Sequence, residues 1–186
     1  MTLADPRPVR TPALLLDQFV PHSQFGSARH RIVNAAPDEV YAAIHELDLT
    51  RPPWPRCHRS GPEPGGSTAR WVVLGERPGM ELVLGAAVRL PPWSGQWLQV
   101  DPRDFREFEE PGYGKIAAGI SVLPYGRRRG LLTHELRIVL ADPACWPRWL
   151  RYWRLLAPLV GPAQNATLKA IEAAATALGA APAPLA

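Results

Sequence analysis

Residues 29–47, RHRIVNAAPDEVYAAIHEL, constrain the fold more than any other stretch, because they read as one strand running directly into one helix. The extended pattern of residues 28–34 stops at Ala35-Ala36. Pro37 stands where a helix begins: its missing N–H would have no partner in a first turn, and its fixed φ suits that turn. Asp38 and Glu39 follow, placing negative charge at the positive end of the helix dipole. Val40, Ile44 and Leu47 recur at helical spacing and give one apolar face.

Beyond this unit, strand-like stretches are predicted over residues 69–77, 80–90, 105–110, 115–123 and 131–140, with a short extra strand around 96–100. Pro78-Gly79, Pro111-Gly112 and Tyr125-Gly126 supply turn chemistry between them, which makes the strands antiparallel neighbours. Residues 50–68 are too rich in Pro and Gly for helix or interior strand and read as a long loop, a kind that is often functional or disordered. The end of the chain is helical. Asp142 caps, Pro143 opens, and Trp146, Trp149, Leu150, Trp153, Leu156, Ala157 and Val160 recur at three- and four-residue intervals. Pro158, Gly161 and Pro162 interrupt that pattern, so a bend or break is expected between Ala157 and Ala163 before it resumes with Leu168, Ile171, Ala175 and Leu178. The domain reading is an irregular N-terminal arm (1–25), one domain (26–179) and a disordered tail (180–186).

Composition narrows the function. A chain of 186 residues can bury a real core as one domain. No apolar run approaches the ~20 residues of a membrane span. The apolar piece Ala13–Leu16, flanked by Asp5 and Asp17, falls short of the ~7–15 residues of a secretory signal, so a cytoplasmic protein is expected. The net charge of +4 invites a nucleic-acid reading. Against it, only Lys115 and Lys169 among the 21 basic residues are lysine, and the arginines are scattered apart from Arg127–Arg129, which follow a turn signal. Cys57 and Cys145 lie far apart with no metal-ligand spacing and read as free thiols.

The opening R-H-R-I-V-N-A-A-P-D-E-V-Y-A-A-I, the strand L-L-T-H-E-L-R-I and the late helix W-P-R-W-L-R-Y-W-R-L-L-A-P resemble the SRPBCC superfamily, also called START-like or helix-grip, and within it the polyketide cyclase/dehydrase-like branch. The resemblance covers roughly residues 27–178. It implies an α+β fold in which a curved antiparallel sheet grips a long, kinked C-terminal helix over a cavity. Such domains bind hydrophobic small molecules, and some are enzymes.

Strand alternation selects candidate site residues. In residues 131–140 it places Leu132, His134, Leu136, Ile138 and Leu140 on one nearly continuous apolar face, so His134 is expected in the cavity, as a polar contact or an acid/base. The same reading of the first strand puts Ala28, His30, Ile32 and Asn34 inward, giving a second cavity histidine. No carboxylate stands at a spacing that orients either ring, so no catalytic triad is legible. Tyr152 and Trp153 on the C-terminal helix, and Trp54 and Trp93 in proline-rich loops, complete the candidate set as ligand contacts or an aromatic lip. Ala117, Gly119 and Ser121 form a small-residue face that leaves room for a ligand or for close helix approach.

The expected function is non-catalytic binding of a small hydrophobic or aromatic molecule in an internal cavity, with His134, His30, Leu136, Tyr152, Trp153, Trp54 and Trp93 as ligand contacts. No metal or cofactor is expected, nor a nucleic-acid or membrane partner; a homodimer is compatible with the sequence. A cyclase/dehydratase-like enzyme using a cavity histidine is the alternative, and a protein-interaction module built on the aromatic loops is a second.

Overall fold

A computed structural model describes residues 14–47, 49, 71–89 and 96–180. A short helix α1 (Leu16–Phe19) precedes β1 (Phe25–Val33) and α2 (Pro37–His45). Then come β2 (Val72–Arg77), β3 (Glu81–Arg89), β4 (Trp97–Leu98), β5 (Tyr113–Pro124) and β6 (Gly130–Leu140). A 3₁₀ turn (Pro143–Cys145) leads into α3 (Trp146–Ala180). The sheet is antiparallel throughout, in the order β1-β6-β5-β3-β2, with β4 added to β3. Gly79, Gly112 and Gly126 take positive φ in its turns. This is a helix-grip α+β fold.

The strand-to-helix unit folds as its residues dictate. Pro37 opens α2 with Asp38 and Glu39 in the first turn, and the Glu39 carboxylate accepts the Ala36 N–H at 2.9 Å, satisfying an otherwise orphaned donor. Val40, Ala43 and Ile44 are then fully buried with Leu132, Leu168 and Ile171. One sheet face thus packs against both α2 and α3.

The other face is also covered. Leu16 and Val20 join Leu74, Val83, Ala87, Phe105 and Ala117 in a second core. Buried Glu81 ties α1 down, its carboxylate accepting the N–H groups of Leu15 (2.5 Å) and Leu16 (3.1 Å). Arg137 donates to Asp17 Oδ1, to the Val20 carbonyl and to Glu135 Oε1, each at 2.7 Å. The small-residue face of β5 serves this layer: a Cβ at Gly119 would press on Leu16. It makes room for α1 rather than for a ligand or for α3.

Two expectations are corrected here. Residues 105–110 are a turn-rich loop, not a strand. Asp104 N–H donates to the Asp101 carbonyl and Glu107 N–H to that of Asp104, while Phe105 is fully buried and Lys115 Nζ donates to the Arg106 carbonyl at 2.7 Å. Two aromatic anchors, Phe105 and the partly buried Phe108, rather than strand alternation explain that hydrophobic pattern.

The second concerns α3: the break does not occur, and the helix continues through Pro158, Gly161 and Pro162. Each proline deprives the carbonyl four residues back, those of Arg154 and Pro158, of its helical donor. Arg154, Pro158 and Pro162 all lie on the exposed side, where water can take the place of the lost donor. The buried side, with Val160, Gly161, Gln164, Thr167, Leu168 and Ile171, keeps its packing. An interior proline still costs about 3 kcal/mol against alanine, less up to about 1 kcal/mol returned through a stiffer unfolded chain. Pro162→Ala should therefore stabilise the protein by about 2 kcal/mol in urea denaturation; a loss of stability would mean that the proline ring shapes the packed helix.

Candidate functional site

The space between sheet and α3 lies at the middle of the fold. Its sheet wall is Trp71, Leu84, Ala118, Ile120, His134 and Leu136; Leu49 closes one side, and Ala163, Gln164 and Thr167 of α3 form the opposite wall. Packing leaves only about 40 Å³ there, where a single water needs about 10–15 Å³. A second, more open chamber of about 340 Å³ adjoins it and shares Leu49 and Leu84. Ile44, His45 and Leu47 bound it on the α2 side, and Val73, Glu76 and Leu82 on the sheet. That volume lies within the range of small-molecule sites, about 300–1,000 Å³.

His134 faces the inner space as its alternation requires, beside Leu136. Its Nδ1 is shielded from solvent and bonded to no described residue. Burial pushes the ring's pKa down to about 4, against a smaller opposing pull from the Gln164 main chain. At neutral pH the ring is therefore uncharged.

The β1 expectation had the wrong parity. Phe25, Ser27, Arg31 and Val33 are the buried or half-buried positions, while His30 is exposed. His30 Nδ1 lies 2.9 Å from Thr133 Oγ1 on the outer face, so it is not a cavity residue. The inward residues engage α3: Arg31 pairs with Glu172 at 2.9 Å, and Ser27 bonds Gln164. Polar residues tie β1 to the helix here, which made the buried face look like the solvent face.

Tyr152 and Trp153 lie outside the cavity wall as well. Phe25 stacks on Trp146 at 4.9 Å and meets Trp153 at 5.6 Å, with Trp149 at 6.5 Å. Tyr152 packs against this same cluster. Trp149 presses so close to Gly114 that a Cβ there would collide with the indole. These rings anchor the first turns of α3 to the end of the sheet, several turns from the cavity-lining Ala163–Thr167. Trp54 and Trp93 lie outside the described residues, as does Cys57.

Three features were missed. Trp71 is buried, lines the inner space, and has an Nε1 with no partner among the described residues. Gln164, 2 % exposed, accepts the Ser27 hydroxyl at 2.9 Å and donates to the carbonyls of Ser27 (2.9 Å) and His134 (3.1 Å). At the mouth, Glu76 Oε1 accepts the Tyr41 hydroxyl at 2.6 Å and lies 3.1 Å from His45 Nε2. Burial and the Glu76 carboxylate raise the Tyr41 phenol well above its ordinary pKa, so it stays a donor. Only Tyr41 and His45, one helical turn apart, carried a local sequence signal for that cluster.

Among the described residues no group of His, Cys, Asp and Glu is placed to hold a metal ion, and no helix is long and apolar enough to cross a membrane.

No family model and no curated protein sequence matches the chain. Solved structures do. The di-domain aromatase/cyclase StfQ of the steffimycin biosynthetic pathway is 16% identical, with a TM-score of 0.50 over 84% of this chain and 52% of StfQ, so this chain spans about half of that protein's length. Norcoclaurine synthase of Thalictrum flavum is 12% identical with a TM-score of 0.42, covering 82% of this chain and 94% of the synthase. The Zhui aromatase/cyclase of Streptomyces sp. R1128 is 15% identical with a TM-score of 0.39, covering 82% and 93%. The chain thus shares the helix-grip fold with StfQ.

The neutral state of His134 makes stability depend on pH. In the unfolded chain this ring takes up a proton near pH 6.5, but in the folded protein only near pH 4. Its contribution is fully present above 6.5 and is lost as pH falls toward 4, by at most about 3 kcal/mol. Urea denaturation of wild type and His134→Leu between pH 7 and 4 should show the wild type losing more stability by that margin. Parallel curves would place the imidazole in a solvated environment.

Proposed function

We propose that the protein binds a small hydrophobic or aromatic molecule without transforming it. The apolar body of the ligand rests in the mouth chamber, and its leading end reaches the inner space. The observation that carries this reading is the shielded, unpartnered Nδ1 of His134 inside an otherwise apolar space that adjoins a chamber of about 340 Å³. Leu136 and Leu84 supply apolar contact, and His134 supplies the polar one.

The enzymatic alternative gives His134 a proton to move, in the manner of a cyclase; StfQ, which shares the fold, is an aromatase/cyclase. A general base works best with a pKa near the operating pH. At about 4, His134 is a weak base in neutral solution, and this favours a binding role over a catalytic one.

Native mass spectrometry and a thermal-shift screen against sterols, lipids and polyaromatics test the reading, with Ala118→Val as control. Ala118 is 6 % exposed and forms part of the inner wall. Two added carbons would occupy most of the inner space, so hits should bind about fivefold or more weakly to the variant, each buried methyl-sized displacement being worth about 0.8 kcal/mol. Affinities unchanged in Ala118→Val would move the ligand away from this space, and a screen without a hit would remove the proposal.

A further inference from the structure

The polar inventory of the inner wall is small and can be followed group by group. Gln164 is fully committed: both carboxamide hydrogens go to the carbonyls of Ser27 and His134, and its oxygen accepts the Ser27 hydroxyl. The Thr167 hydroxyl donates to the Ala163 carbonyl at 3.2 Å. Two buried polar atoms of this wall have no partner at all among the described residues, Nδ1 of His134 and Nε1 of Trp71, both shielded from solvent. Both residues line the same inner space. A buried polar group without a partner is destabilising, and a ligand that supplies one recovers that free energy.

We propose that Trp71 and His134 together read a hydroxyl group on the leading end of the ligand, so that the site takes an apolar alcohol or phenol, bound head first. This rests on the binding reading above and adds the chemistry of the ligand and its orientation.

The donor and acceptor logic selects the hydroxyl. The indole N–H only donates, and a neutral imidazole offers one donor and one acceptor. A hydroxyl accepts from Trp71, and at Nδ1 it either donates or accepts, so it satisfies both tautomers of His134. A carbonyl oxygen would satisfy only the tautomer protonated at Nδ1. An ammonium group gives the indole N–H nothing to donate to. A carboxylate would bring a charge into walls of Leu49, Leu84, Ala118, Ile120, Leu136 and Ala163, with no cation among the described lining residues. Size sets the orientation: about 40 Å³ holds one small group, and the hydrocarbon stays in the adjoining chamber beyond Leu49 and Leu84.

The test compares 2-naphthol, 2-methoxynaphthalene and naphthalene on the full chain by calorimetry, with the indole N–H signals followed by NMR; Trp71→Phe assigns the Trp71 signal. 2-Naphthol should bind about tenfold more tightly than the other two, the worth of one or two well-made buried hydrogen bonds. The Trp71 N–H proton should move downfield with 2-naphthol and stay in place with naphthalene. Trp71→Phe and His134→Leu should each bring 2-naphthol down to the affinity of naphthalene while leaving naphthalene within about twofold of its wild-type value. The wild-type ligand series needs no variant, so it stands even if a substitution unfolds the protein. Equal affinities with an unmoved Trp71 signal would overturn the hydroxyl proposal and leave the binding reading intact. If none of the three binds, the hydroxyl proposal falls, and the screen above decides the binding reading.

Discussion

The arrangement of this protein depends on one buried side chain. Gln164 projects from the middle of α3 onto the seam between β1 and β6, where it makes three hydrogen bonds to Ser27 and His134. Apolar contacts between a helix and a sheet allow sliding; three directional bonds to two adjacent strands do not. A buried carboxamide is tolerable only when its groups are satisfied, and losing partners costs about 1–3 kcal/mol for each group left unpaired. Gln164 therefore fixes the height and register of the helix above the sheet, and with them the depth of the space beside it.

The other elements hold that seam in place. Phe25, Trp146, Trp149 and Trp153 lock the start of the helix to the sheet end. Arg31 and Glu172 tie its later turns to β1, and α2 packs Val40 and Ile44 beside Leu168 and Ile171. On the opposite face, α1 is held by Glu81 and Arg137. With both faces covered, β3 is buried along nearly its whole length. What is left unfilled lies between Gln164, His134 and Trp71, and it adjoins the chamber under α2.

Much of this was legible in the sequence where one local rule governed. Pro37 with its acidic neighbours marked the start of α2, and strict alternation in β6 put His134 and Leu136 on the inward face. The rules failed where tertiary context decided. On β1 the face toward α3 carries Ser27, Arg29 and Arg31, because it meets the polar clamp and the Arg31–Glu172 ion pair of α3, so the apolar Ile32 pointed to the wrong side. Pro158 and Pro162 suggested a break, but both fall on the exposed side of α3, where water replaces the lost donors. Gln164 and Trp71 carried no signal of their own: their roles come from strands and a helix distant in sequence. The Tyr41–Glu76 contact likewise joins a helix to a strand across the long loop.

The binding account stands on the helix being held rigidly over the sheet at this point. The direct measurement is amide hydrogen exchange across α3 in wild type and Gln164→Met, which keeps the volume and removes the hydrogen bonds. If Gln164 is the clamp, exchange over residues 160–171 should quicken by at least about fivefold, following the loss of about 1–3 kcal/mol, while β5 stays protected. Unchanged protection over 160–171 would mean that apolar packing alone positions the helix, and would contradict the account.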